Sequence, residues 1–210
     1  GGAAALQYAE SLTFTAPLFV FVIMVTAASR PVLETVRGLI AVMARLAPIN
    51  NGVAQAWLCL AFVPLLGSFV TEPAAMTLAA LMLAPTVFRK GVPEWLKYAA
   101  LGVLFVNISI GGTLTSFAAP PVLMVASTWG WDSAFMAATF GWRAAVAVVI
   151  NATVVTFLLR RYITDDAAPA TGKPAPMVVR AIHLAFLAGV VAFAHHPVVF
   201  LGLFLLFLGF

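Results

Sequence analysis

Charge and cysteine are both scarce in this chain. Only 9% of its 210 residues are charged, whereas soluble domains carry about 25%. Cys59 is the single cysteine and lies in an apolar run, so the sequence excludes a disulfide framework. The formal net charge is +4, but the basic residues form short clusters between apolar runs rather than a stripe, so nucleic acid is not an expected partner. With 63% hydrophobic residues, the composition is typical of a membrane protein.

Signatures of soluble enzymes are also missing. The sequence has no nucleophile–base pair, phosphate-binding loop or nucleotide motif. His183, His195 and His196 lack the spacing of metal ligands, and an interfacial role is expected for them. We therefore expect neither an enzyme nor a cofactor. The chain begins with Gly1, has no signal-peptide pattern and stops in a hydrophobic run, which predicts a fragment of a longer protein.

The apolar runs predict an all-α integral membrane protein with one membrane domain over 1–210. The expected segments are a transmembrane helix at 12–29, an interfacial amphipathic helix at 30–50, a re-entrant hairpin at 52–88, a broken transmembrane helix at 98–128, a transmembrane helix at 134–159, a cytoplasmic loop at 160–178, a transmembrane helix at 179–196 and the start of another at 198–210.

Basic clusters set the expected topology. The clusters at 30–45, 89–97 and 160–180 are each net positive, so the positive-inside rule places all three in the cytoplasm. The region between the first two clusters must then start and end on the same side, and it is slightly short for two full spans. A re-entrant hairpin with its tip near Gly67 to Pro73 satisfies both conditions.

Glu72 is the acid at this tip. From Asn51 to Phe88 the only other ionisable group is the Cys59 thiol. A charge near a bilayer centre costs ~3 kcal/mol or more, so such residues usually have a function. Pro73 removes a backbone donor, and Ser68 and Thr71 add oxygen ligands. The tip therefore predicts a site for a cation or a proton. The alternative is a packed helical hairpin whose glutamate is buried and protonated or salt-bridged.

The third apolar run predicts an interrupted helix. The pairs Gly111-Gly112 and Pro120-Pro121 cannot belong to one unbroken helix. We expect an unwound loop from about Gly111 to Pro121, with glycines that allow unusual backbone angles and close approach. The following half-helix would point its N-terminal amides at the loop. The alternative is a small-residue packing face with a proline kink.

Polar residues in the fourth run have two possible roles. Arg143 either extends outward to the interface or pairs with an acid such as Glu72. Asn151, Thr153 and Thr156 either form hydrogen bonds between helices or line a cavity.

Two stretches, Gly67 to Thr77 and Asn107 to Met124, resemble a bacterial family of sodium/proton antiporters. The similarity continues through the motifs that begin at Trp129 and Phe140. A polar hairpin tip followed by a helix that breaks at Gly-Gly-x-x-Thr also resembles one repeat of the ion transporter superfamily, which includes dicarboxylate–sodium symporters and arsenite carriers. This resemblance implies two inverted repeats with ion sites at two hairpin tips and two broken helices. The symporters carry Ser-Asn-Thr at the first tip, whereas Thr71-Glu72-Pro73 stands here, which favours a carboxylate-coupled cation.

We therefore expect a secondary transporter of the bacterial inner membrane that exchanges sodium for protons at Glu72. The expected ion- or proton-binding residues are Glu72, Thr71, Ser68, Pro73, Asn107, Ser109, Gly111, Gly112, Thr113 and Thr115. The expected Na⁺ ligands among them are Glu72, Ser68, Thr71 and Thr113. The alternatives are an anion symporter or arsenite-type carrier of the same superfamily, and a non-transporting membrane scaffold. Sodium, protons and the lipid bilayer are the expected partners, with a homodimer as a candidate assembly.

Overall fold

The computed structural model describes residues 15–70, 72–163, 175–193 and 196–210. Of these residues 83% are helical and none forms a strand, which confirms the all-α part of the predicted fold class. The helices are α1 (Thr15–Ala27), α2 (Arg30–Leu46), α3 (Asn51–Leu60), α4 (Phe62–Val70), α5 (Glu72–Val87), α6 (Glu94–Gly111), α7 (Pro120–Trp129), α8 (Ser133–Met136), α9 (Trp142–Leu159), α10 (Met177–Ala192) and α11 (Pro197–Gly209).

Three stretches of the described chain are long and apolar enough to cross a membrane: Asn51–Phe69, Glu94–Leu114 and Ser133–Leu159. The bent pair formed by α1 and α2, with 65° between its two helices, would be a fourth. Helices α10 and α11 are shorter than these spans and pack against each other and against α1. Their shared core includes Phe19, Phe200 and Phe204.

Helices α3, α4 and α5 form a helical hairpin. Both α3 and α4 contact α5, so the chain reverses direction between Val70 and Glu72. The first arm is interrupted at Ala61, three residues before Pro64, because a proline has no N–H for the carbonyl four residues earlier. The second arm starts with Glu72 and carries Pro73 in its first turn, where an N–H is not needed. The hairpin thus presents Glu72 at its tip.

The interruption in the next helix lies where the sequence places it, but it is partly ordered. Helix α6 ends at Gly111, and Gly112–Leu114 continue as a 3₁₀ turn. Thr115 and Ala119 have extended backbone, and α7 begins at Pro120 with prolines in its first two positions. Neither glycine uses an unusual conformation, since φ is −64° at Gly111 and −67° at Gly112. The expectation of unusual glycine angles was therefore wrong, and close approach explains the pair instead.

The predicted cytoplasmic segments contact one another. The Arg89 guanidinium donates a hydrogen bond to the carbonyl of Tyr162. The N–H of Ala175 donates to the Glu34 carboxylate at 2.7 Å, and Glu34 also pairs with Arg30. Each of the three segments is thus joined to another.

Candidate functional site

Glu72 lies directly against the broken helix. A Cβ atom placed on Gly112 would be 2.8 Å from Oε1 of Glu72 and 3.0 Å from its Cγ. The glutamate side chain therefore occupies the space that a side chain at Gly112 would need. Glu72 is partly buried, and no described residue forms a hydrogen bond or ion pair with its carboxylate. The hairpin tip and the interruption thus meet at an acid that has no partner among the described residues.

Ser68 joins the last turn of α4 to the same interruption. Its hydroxyl donates to the carbonyl of Gly111 and accepts from the N–H of Leu114 at 3.1 Å. Its backbone carbonyl accepts from the Thr115 hydroxyl at 2.7 Å. Ser68 is fully buried, so these bonds satisfy backbone groups that the end of α6 leaves without helical partners. They hold the hairpin and the broken helix together as one unit.

Close packing accounts for the glycines at this junction. A Cβ atom on Gly111 would lie 2.7 Å from the carbonyl oxygen of Pro64, which is a backbone atom that cannot move away easily. A Cβ atom on Gly67 would lie 3.0 Å from the Cβ of Ala75, between the two arms of the hairpin. The backbones approach each other more closely here than side chains would allow.

The other residues expected at the site have varied surroundings. Asn107 is fully buried one turn before Gly111 and forms hydrogen bonds to three other residues. The Thr113 hydroxyl donates to the carbonyl of Ile110 at 2.6 Å. Ser109 is exposed on α6, and the Pro73 carbonyl accepts from the Thr77 hydroxyl. Thr71 lies outside the described residues. The structure therefore brings Glu72, Ser68, Gly111, Gly112 and Thr115 together and leaves Ser109 apart from them.

Arg143 does not pair with Glu72. Its guanidinium donates to the carbonyl of Thr139 at 2.8 Å and lies 5.0 Å from the centre of the Trp142 ring. Asn151 and Thr153 form hydrogen bonds between helices, with Asn107 and with the indole of Trp57. This selects the helix–helix alternative for Asn151 and Thr153. The Thr156 hydroxyl is buried with no partner among the described residues.

Two contributors to the junction were not recognised in the sequence. Pro64 approaches Gly111 with its carbonyl, and Gly141 lets the next helix approach Leu114, whose Cα would lie 3.2 Å from a Cβ at Gly141. Gly141 ends a π-helical turn over Ala137–Gly141, a local widening often found at functional sites. Pro64 and Gly141 each stand out in the sequence because they lie within an apolar run. The residue that each of them contacts is distant along the chain, so the contact itself is not visible in the sequence.

The chemistry of this junction suits a cation better than an anion. Its polar groups are one carboxylate, hydroxyls and the carbonyl end of α6, which carries partial negative charge. These hard oxygen atoms match a small alkali cation. The opposite helix end offers few donors, since Pro120 and Pro121 have no N–H, although N-terminal amides were expected there. The described residues contain no cluster of His, Cys, Asp and Glu that could hold a metal ion.

A family model described as "Putative Na+/H+ antiporter" matches residues 1–210. No curated protein and no solved structure matches the chain.

Proposed function

We propose that the chain, which belongs to the Na⁺/H⁺ antiporter family whose model it matches, exchanges sodium for protons at Glu72. Membership in this family implies sodium and protons as substrates and a transporter rather than an enzyme. The assignment of the exchange to Glu72 is supported by the position of its carboxylate, which lies against Gly112 and has no partner among the described residues. The bacterial inner membrane is the proposed location.

A carboxylate without a partner among the described residues gives a physical reason for exchange. Keeping the charge in an apolar setting costs ~3 kcal/mol or more. Either a proton or a sodium ion removes this cost, and both use the same oxygen atoms. Each therefore displaces the other, so sodium entering from one side releases a proton. Alternate access from the two sides then couples the two gradients.

Hydroxyl oxygen atoms of the hairpin and of the interruption are the proposed further ligands of a sodium ion at Glu72. A hydroxyl has one hydrogen to donate and two lone pairs. The Ser68 hydroxyl donates to Gly111 and accepts one hydrogen bond from Leu114, which leaves one lone pair. The Thr113 hydroxyl donates to Ile110 and retains its lone pairs. We propose that both of these oxygen atoms, with Thr71, join Glu72 around the ion.

The anion-carrier alternative has less support. It needs donors or cationic side chains at the break. Pro120 and Pro121 remove two donors from the start of α7, and Arg143 is bonded within its own helix. A non-transporting scaffold gives no reason for an acid without a described partner beside a broken helix. The two Glu72 substitutions test this alternative.

Glu72→Gln and Glu72→Asp separate these possibilities in the full-length protein reconstituted in proteoliposomes. Gln preserves the size and a hydrogen-bonding oxygen but removes the exchangeable charge, so sodium-driven proton movement should vanish. Asp retains the charge on a shorter side chain and should give partial activity with weaker sodium affinity. Glu94→Gln makes the same change at an exposed acid in the first turn of α6 and should leave exchange unchanged. Normal exchange by Glu72→Gln would contradict the proposal and favour a structural glutamate.

A further inference from the structure

The carbonyl of Leu60 lacks its helical partner. In an α-helix each carbonyl accepts from the N–H four residues later. For Leu60 that residue is Pro64, which has no N–H. The helix axis is interrupted at Ala61, with φ −114° and ψ −63°. Leu60 is fully buried, so water cannot supply the missing donor.

Asn107 of α6 supplies that donor. Its Nδ2 lies 2.8 Å from the Leu60 carbonyl oxygen and 3.2 Å from that of Val148. Its Oδ1 accepts from Nδ2 of Asn151 at 3.0 Å. Both hydrogens of the amide are used, and the side chain is fully buried. Asn107 thus connects three helices, and its amide has no donor left for anything else.

The same pair of helices continues in register up to the functional junction. Leu60 faces Asn107, Pro64 faces Gly111, and Ser68 faces Thr115. Each pair is separated by the same 47 residues along the chain, as the hydrogen bonds at the two ends show. The arm made of α3 and α4 therefore runs parallel to α6, and a contact recurs every four residues, about one turn. Glu72 begins α5, the returning arm of the hairpin, four residues after Ser68 in the sequence.

We propose that Asn107 is a positioning residue that fixes this register and thereby holds Glu72 over Gly112. This differs from the direct ion ligand expected from the sequence. Asn107 replaces the N–H that Pro64 lacks, so the hairpin can bend at Ala61 without leaving Leu60 unsatisfied. The expected effect of Asn107 on transport rests on the proposed function of Glu72, whereas its effect on the register of the two helices does not.

Asn107→Leu and Pro64→Ala form a double-mutant cycle that tests this role. Leucine has a similar size and leaves the Leu60 carbonyl without a donor. The unpaired acceptor should lower stability. Because the register no longer holds Glu72 over Gly112, the sodium concentration for half-maximal exchange should rise roughly tenfold. Pro64→Ala restores an N–H four residues after Leu60. The double variant should therefore recover part of the thermal stability and of the sodium affinity lost in Asn107→Leu, while the Asn151 amide still lacks its acceptor. Without recovery by Pro64→Ala, the positioning role is wrong.

Two further variants keep the result interpretable. Thr153→Val removes the Trp57–Thr153 hydrogen bond between α3 and α9. It should lower stability without changing the sodium concentration for half-maximal exchange. If Thr153→Val raises that concentration as much as Asn107→Leu does, the effect is common to any lost contact between helices and the positioning role of Asn107 is wrong. If Asn107→Leu does not insert, Asn107→Ser supports at most one of the bonds and enters the same cycle. If Glu72→Gln is active, the proposed function of Glu72 is wrong. The thermal stabilities of the single and double variants still test whether Asn107 fixes the register, so the two proposals can fail separately.

Discussion

At the scale of single residues, Gly111 and Gly112 are adjacent but have different neighbours. A Cβ atom on Gly111 would meet the backbone carbonyl of Pro64, whereas one on Gly112 would meet the side chain of Glu72. The backbone at both glycines has ordinary helical angles, so alanine can adopt them. Substitution at the two positions should therefore separate packing from function.

Gly112→Ala is predicted to impair exchange more than stability. The added methyl group lies within 3.0 Å of the Glu72 side chain and must displace it. A small displacement of a binding group can reduce the exchange rate by about ten- to a hundredfold. Exchange in vesicles, together with expression and thermal unfolding in detergent, measures both effects.

Two neighbouring substitutions serve as controls for Gly112→Ala. Gly102→Ala lies in α6, the helix that precedes Gly112, with no atom within 4 Å of the added Cβ, so it should preserve exchange. Gly111→Ala forces the Pro64 backbone to shift and should cost about 1–3 kcal/mol of stability. Wild-type exchange by Gly112→Ala would show that the Glu72 carboxylate does not need its observed position.

The sequence indicates the type of residue at the junction but not its neighbours. The acid in an apolar run and the glycine and proline pairs stand out because each is costly or disruptive in an apolar helix. The hydrogen bonds of Ser68 and Asn107 could not be foreseen, since their partners are more than 40 residues away. Whether Ser109 faces the junction or the surface depends on the rotation of α6, which its sequence pattern does not specify.

At the scale of elements, the direction of α3 and α4 determines the path of the hairpin. This arm runs parallel to α6 through the contacts of Leu60 with Asn107 and of Ser68 with Thr115. Helix α5 must then return the chain before α6 starts. From the sequence we predict one hairpin over 52–88 and not the break at Ala61, which Pro64 causes.

The predicted topology can be tested by cysteine labelling. In a Cys59→Ala background, Arg37→Cys and Lys90→Cys should both react with an impermeant maleimide from the cytoplasmic side, because α5 returns the chain. Thr128→Cys, near the end of α7, should react from the opposite side. Labelling of Lys90→Cys from the periplasm together with cytoplasmic labelling of Arg37→Cys would overturn the hairpin topology.

Glu34 links α2 to the residues just before α10. The Ala175 N–H and the Arg30 guanidinium lower the pKa of the Glu34 carboxyl below its ordinary value of 4.5. A lowered pKa means that the contact is complete above pH 4.5 and is lost only as the pH falls below that value. At neutral pH, Glu34→Ala should therefore speed hydrogen exchange at the Ala175 amide.

The pH dependence of hydrogen exchange at the Ala175 amide is the matching control for its hydrogen bond to Glu34. In the unsubstituted protein, exchange at Ala175, corrected for its intrinsic rate, should stay slow from pH 8 to about pH 5. Equal exchange rates in the two proteins at neutral pH would show that Glu34 does not retain this amide.

At the scale of the whole molecule, two kinds of side chain are found at different ends of the long helices. Aromatic rings cluster around Trp131, with Trp129, Phe135 and Phe140 at centroid distances of 4.7–5.6 Å. Basic residues such as Arg89 and Arg160 lie where α5 and α9 end. Aromatic belts mark membrane interfaces, and basic residues favour the cytoplasm. The junction at Gly111 lies between these ends, roughly 20 Å along α6 from Tyr98.

The proposal that one carboxylate serves both ions requires sodium and protons to compete across the whole transport cycle. Lowering the pH should raise the sodium concentration for half-maximal exchange, by up to about tenfold per pH unit, while saturating sodium restores the rate. Two separate sites would instead let the proton change the maximal rate without shifting sodium affinity. Sodium titrations at several pH values in proteoliposomes of the full-length protein distinguish these cases. Glu72→Asp should shift the curves toward higher sodium yet keep their dependence on pH, because the shorter acid still exchanges both ions. A sodium affinity that does not change with pH would refute a shared carboxylate.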